Sequence, residues 1–194
     1  MGCRSILPDL SGHGPEQWLT MDDLHDTHHR GLDHRIVTVL RARGSDPRVA
    51  GAARALSWAG EHGALWLAAG LAGAALDGPR RSAWLRGTAL TAGAHLVSMG
   101  VKRVVRRPRP AHVVPLVRTA GRHSFPSSHA ASATAAAVAF SALGVTAAAP
   151  LAAAVCVSRL VVGVHYPSDV AAGAALGALT ARLGARWMRG GGRG

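Results

Sequence analysis

The sequence predicts an all-α fold: a multi-spanning transmembrane helix bundle of five or six helices, with its site at one membrane face. Three observations carry this. Hydrophobic residues make up 48% of the 194 residues and gather into five long runs, whereas the charges collect between them. The runs are rich in Ala and Gly, the small residues that let helix backbones approach closely in lipid. Indoles stand near run ends, at Trp58, Trp84 and Trp187, where a membrane interface favours them. A net charge of +12, from 22 Lys plus Arg against 10 Asp plus Glu, would by itself suggest nucleic acid. A basic soluble domain does not segregate its apolar residues in this way, so no nucleic-acid partner is expected.

Residues 1–30 are polar, rich in His, Asp and Gly, and without sustained periodicity, so they read as a mobile N-terminal tail. The start "MGCRSILPDL" has no signal-peptide core and places Ile6 where myristoylation wants Ser or Thr, so membrane attachment is expected from the internal runs. Cys3 in the tail and Cys156 in an apolar run make an unpromising disulfide pair. Leu32, Ile36, Val39 and Leu40 recur at helical spacing with Arg35 and Arg41 on the turn, which predicts an amphipathic helix in the headgroup region or a soluble packing helix. Either this segment or "RALSWAGEH" stands as the additional helix.

The runs are His62 to Leu76, Ala83 to Val101, Ala130 to Leu143, Val145 to Val157 and Val170 to Leu183. Several fall short of the ~20 apolar residues that span a bilayer, so the membrane reading rests on the set, and an Ala-rich soluble bundle is the alternative. The helical domain covers 31–187, followed by a Gly/Arg tail at 188–194. Pro108 and Pro110 end any helix leaving the second run and present the following arginines on an irregular, solvated segment; "GVHYPSD" breaks the fourth run from the fifth. If all five runs span, both breaks emerge on one face, although the charge distribution leaves open which side that is.

Three stretches carry candidate chemistry. In "KRVVRRPRP", Lys102 and Arg109 combine a point-charge ammonium with a planar guanidinium, a pair suited to a phosphate or to anionic lipid headgroups. In "FPSSHA", Pro126 suits the first position of a helix, Ser127 and Ser128 can cap or donate, and His129 sits beside unpaired N–H groups. That is an anion nest with a proton donor, or a capped helix with an incidental His. In "SRLVVGVHYPSD", Arg159 ends an apolar run, where a buried guanidinium needs an anion or a watery cavity. Tyr166 before Pro167 is biased to extended backbone, so Pro167 opens the fifth run's helix and Asp169 can reach back to His165. The pair orients a reactive histidine or holds a turn together.

Taken jointly, Lys-x6-Arg-Pro, Pro-Ser-x-His and Ser-Arg-x5-His-x3-Asp occur in an order and placement that resemble the phosphatidic acid phosphatase type 2 superfamily, over about Arg54 to Arg186. The resemblance implies an all-helical membrane fold with the active site at one membrane face, and phosphoester hydrolysis through a phosphohistidine without metal or other cofactor. It implies His165 as nucleophile, Asp169 as its orienting carboxylate, and His129 as the proton donor that later activates water. Lys102, Arg109, Ser127, Ser128 and Arg159 would hold the phosphoryl oxygens. Ser128 departs from the family's usual Gly, and many members have six spans.

The short chain and its motifs look most like actinobacterial members associated with dephosphorylating decaprenylphosphoryl 5-phosphoribose. Polyprenyl diphosphate and phosphatidylglycerol phosphate are the alternative substrates, because the same motifs serve them. The expectation is therefore a multi-pass cell-membrane enzyme acting on a lipid phosphate, with oligomeric state open. Two other classes compete: a metal-dependent hydrolase using His112, His123, His129, His165 and Asp169, whose spacing lacks a compact ligand motif, and a non-catalytic anionic-lipid-binding membrane protein.

Overall fold

The computed structural model describes residues 21–119 and 121–185. Among them are seven α-helices: α1 Met21–Arg43, α2 Pro47–Ala59, α3 Ala64–Leu76, α4 Arg81–Val105, α5 Ser128–Ser141, α6 Ala148–Val161 and α7 Pro167–Leu183. Short 3₁₀ turns, Glu61–Gly63 and Gly78–Arg80, precede α3 and α4. The count exceeds the five or six expected because the amphipathic segment and "RALSWAGEH" are both helical, as α1 and α2. Asp46 divides them: its carboxylate accepts from the backbone of Arg48 at 2.7 Å and Val49 at 3.4 Å, and Pro47 opens α2. Helix α1 starts at Met21, inside the stretch read as tail; the rest of that tail, Cys3, Trp187 and the Gly/Arg tail lie outside the described residues.

The five apolar runs correspond to α3 through α7. Among the described residues no helix is long and apolar enough to cross a membrane. The chain packs around α5, which touches α3, α4, α6 and α7. Ala130, Ala131, Ala133, Ala135, Ala136 and Ala139 of α5 are all buried, and their small side chains let neighbours close in from several sides. The α7 contact is the tightest. A Cβ at Gly173 would collide with the Ser127 carbonyl, and one at Gly177 with the Ala131 carbonyl, so backbone meets backbone.

Trp66, Trp84, Phe140 and Val155 form the larger apolar core. Trp84 is therefore not an interfacial ring. It is buried 5.3 Å from Phe140, in space left by Gly73, with its indole N–H on Asp77 at 3.1 Å. Trp58, 81% exposed, does stand at the surface. Leu71, Leu76, Leu96, Leu179 and Leu183 also face outward, while Ser98, Lys102, His129, Arg159 and His165 are buried, so several large apolar side chains lie outside and several polar ones inside.

Replacing Gly177 by Val should push α5 from α7 and destabilise the fold by about 1–3 kcal/mol. A thermal unfolding midpoint in detergent unchanged from wild type would contradict this packing.

Candidate active site

Two breaks between helices meet at one end of the bundle. Helix α4 stops at Val105, with Arg106 in the left-handed conformation (φ 53°), and residues 106–119 and 121–127 run without helix to the cap of α5. That segment is folded back on itself. Pro108 and His123 form an antiparallel bridge, and Ser124 donates its N–H to the Arg107 carbonyl at 2.8 Å and its hydroxyl to the Pro108 carbonyl at 3.0 Å. Arg109 is consequently half-buried rather than solvated. Its guanidinium donates to the carbonyls of Gly121 and Val164, each at 2.8 Å, and so ties this loop to the one carrying His165.

The second break follows α6. Gly163, at φ 74°, turns the chain, Tyr166 is extended, and Pro167 begins α7 as the Tyr-Pro pair predicts. Asp169 in the first turn accepts from the Tyr166 N–H at 2.8 Å. Its carboxylate lies 3.6 Å from Nδ1 of His165, a nitrogen with no hydrogen-bond partner among the described residues. On the other edge of the ring, an Arg109 N–H faces Nε2 at 3.4 Å. A guanidinium can only donate, so the geometry suits the tautomer with its proton on Nδ1 and its lone pair on Nε2. Burial pushes the His165 pKa down to about 3, outweighing the upward pull of Asp169, so the ring is neutral.

Helix α5 brings the third group. Pro126 precedes the helix instead of opening it, and Ser127 is the cap, its hydroxyl accepting from the Ala130 N–H at 3.4 Å. The Ser127 N–H donates to the Asp169 carbonyl at 2.9 Å, which joins the starts of α5 and α7. Nε2 of His129 lies 3.2 Å from the Ser57 carbonyl of α2, and the Ser57 hydroxyl accepts a short hydrogen bond from Arg159.

These elements surround a cavity of about 100 Å³. Lys102, Arg109, Ser128, His129, Arg159 and His165 line it. Two expected residues do not: Asp169 stands behind His165, and Ser127 is occupied in capping. The carboxylates of the described ion pairs engage none of Lys102, Arg109 and Arg159. Three inward-facing cations without a carboxylate ion pair among the described residues favour a multiply charged oxyanion, with a neutral imidazole lone pair and a second imidazole beside it. His112 and His123 are drawn elsewhere: His112 stacks on His34 at 4.2 Å, and His123 pairs with Pro108. Among the described residues no group of three His, Cys, Asp or Glu side chains is placed to hold a metal ion.

Sequence spacing misses the supports. Arg107 donates to Asp169 at 2.8 Å and to Asp33 of α1 at 2.8 Å, with its guanidinium 4.2 Å above the Tyr166 ring. Burial opposes the Arg107 charge, but the two carboxylates outweigh it and raise its pKa. Asp33 also accepts from the Ser168 N–H at 3.1 Å and from the Ser168 hydroxyl. Arg107 lies inside the quoted "KRVVRRPRP", but Asp33 and Ser57 stand far from any motif. His95 on α4, another cavity-lining group, had one visible signal: an ionisable residue within an apolar run.

Residues 83–193 match the PAP2 superfamily. The chain is 47% identical over 147 residues to a decaprenylphosphoryl-5-phosphoribose phosphatase of Mycolicibacterium smegmatis, covering 74% of this chain and 82% of that protein. Its counterpart of the same name in Mycobacterium tuberculosis is 43% identical over 152 residues, covering 77% and 86%. This chain belongs to the PAP2 superfamily. A transmembrane PAP2-type phosphatidylglycerolphosphate phosphatase from Bacillus subtilis shares the fold, with a TM-score of 0.70 at 21% identity over 89% of this chain and 92% of its own.

Arg107→Ala should free Asp169 and lower kcat by roughly tenfold to a hundredfold with little change in KM, as expected when a reacting group is misplaced. Arg107→Lys, which keeps the charge, should recover part of it. Equal losses in the two variants, carried by KM, would assign Arg107 to substrate binding instead.

Proposed function

We propose that this PAP2-superfamily phosphatase is a multi-pass cell-membrane enzyme that removes a phosphate monoester from a lipid carrier, with decaprenylphosphoryl 5-phosphoribose as the substrate. The observation that carries the reaction is the neutral, Asp169-backed imidazole of His165, facing a cavity where Lys102, Arg109 and Arg159 form no ion pair with a carboxylate among the described residues. The relatives' names support the substrate, since the chain covers more than four fifths of each. The outward-facing leucines and the transmembrane fold neighbour support membrane residence, with the ends of the helices that frame the cavity at one face.

In the proposed reaction, Nε2 of His165 attacks phosphorus as the bond to the leaving alkoxide breaks. Charge spreads over the three equatorial oxygens, held by Lys102, Arg109, Arg159 and the Ser128 N–H at the start of α5. Ser127 contributes by capping that helix turn. The Nδ1 proton of His165 turns to Asp169, which stabilises the charge the ring acquires. His129, protonated when the phosphate's negative charge is bound beside it, gives that proton to the departing oxygen, then takes one from the water that attacks the phosphohistidine. The P–N bond breaks, inorganic phosphate leaves, and both histidines return to their starting states. No step calls for a cofactor.

The His165→Ala variant should lose phosphate release from the lipid substrate entirely, and orthovanadate, which adopts trigonal-bipyramidal geometry, should compete with substrate in the wild type. Undiminished turnover by the variant, measured as inorganic phosphate, would remove His165 as the nucleophile, and no phosphate release by the wild type would favour the non-catalytic lipid-binding alternative. Because burial lowers the His165 pKa, its neutral form persists as pH falls. The acid limb of kcat/KM should therefore not be set by an imidazole titrating near the ordinary value of about 6.5. A limb at that pH that moves in Asp169→Asn would show His165 to be an ordinary, exposed imidazole and overturn the assignment.

A further inference from the structure

The phosphate-holding side of the cavity leaves another part of its lining unexplained. Glu61 and His62, from the 3₁₀ turn after α2, and His95, from α4, line the same space. Glu61 is the one carboxylate on a wall that also bears Lys102, Arg109, Arg118 and Arg159. It is close enough to act electrostatically on Arg109 and Arg159. Its ion-pair contact is with His62 at 3.8 Å, with both side chains largely exposed. A carboxylate beside a phosphate pocket repels the dianion, so phosphate binding gives it no use. It accepts hydrogen bonds and cannot donate them, which suits a ligand rich in hydroxyl groups.

The backbone presents these groups under strain. His62 has φ 51° and ψ 18°, followed by Gly63 at φ 75°: two successive left-handed residues, the first with a full side chain. The turn is pressed onto the start of α5. A Cβ at Gly60 would lie 3.0 Å from the His129 ring, and one at Gly63 would lie 3.5 Å from Ser132. Glu61 and His62 are thereby held at a fixed offset from His129. The ring centroid of His95 lies 6.3 Å from that of His62, and its buried Nδ1 has no hydrogen-bond partner among the described residues. A buried ring nitrogen of this kind calls for a hydrogen-bonding ligand.

We infer that Glu61, His62 and His95 form a hydroxyl-binding subsite for the sugar or polyol that carries the scissile phosphate. This rests on the lipid-phosphatase reading above and adds to it a basis for selectivity. The phosphate side takes any phosphate monoester, and the Glu61 side separates a sugar-borne phosphate from one borne directly on a hydrocarbon alcohol. Glu61 accepts from the sugar's hydroxyls, while His62 and His95 offer a ring nitrogen in either role. The carboxylate raises the cost of binding for any phosphate that brings no hydroxyl to meet it.

The test compares the purified full chain with its Glu61→Gln variant on two substrates: a polyprenylphosphoryl ribose 5-phosphate and a polyprenyl monophosphate without hydroxyls. The variant should lose roughly tenfold in kcat/KM on the ribose substrate, mainly through KM, the scale of one hydrogen bond to a charged group. It should gain on the hydroxyl-free lipid, because a repulsive charge has gone. His95→Phe should reproduce the loss on ribose. Changes in the same direction on both substrates would overturn the subsite while leaving the phosphatase reading intact. Failure of the wild type to cleave either, as in a His165→Ala control, would remove that reading and the subsite with it.

Discussion

The structure depends on one backbone contact: the N–H that begins α5 donates to a carbonyl in the first turn of α7, from Ser127 to Asp169 at 2.9 Å. The close approach continues along the helices, where Gly173 leaves room for the Ser127 carbonyl and Gly177 for that of Ala131. The consequence reaches the chemistry directly. His129 is one residue past the Ser128 start of α5, and Asp169, backing His165, sits in the first turn of α7. The spacing between the two histidines' supports is thus set by helix packing, a rigid property, rather than by loops.

Around this junction the chain keeps cations that its own carboxylates do not neutralise. Of the acidic groups close by, Arg107 takes two, Asp169 and Asp33, which share its guanidinium, while the ion-pair contact of Glu61 is with His62. That division has a physical logic. Were Asp169 free to pair with Lys102 or Arg109, the phosphate pocket would be filled by the enzyme's own side chain. Arg107 keeps one carboxylate oxygen engaged, and the Tyr166 N–H engages the other beside His165. The three inward cations remain available to a ligand.

Much of this was legible before the fold. Pro167 after Tyr166 specified the start of α7, and with it the approach of Asp169 to His165; the Pro108 and Pro110 pair specified the end of α4. What could not be read was the inward turn of Arg109, since solvation or burial of a loop arginine depends on which carbonyls the fold offers it, here Gly121 and Val164. Trp84 misled for a similar reason: an indole near a run end suggests an interface, and only the missing side chain of Gly73 makes room for it inside. Asp33 and Ser57 carried no signal because their partners lie in distant segments, beyond the reach of periodicity or motif spacing.

Ser57 has a consequence of its own. This one residue of α2 supplies its carbonyl to His129 and its hydroxyl to Arg159, and both interactions are buried. A displacement of α2 would release the proposed proton donor and an oxyanion-holding cation in the same event. Proton delivery and oxyanion holding are therefore coupled through α2, which keeps His129 and Arg159 in place together.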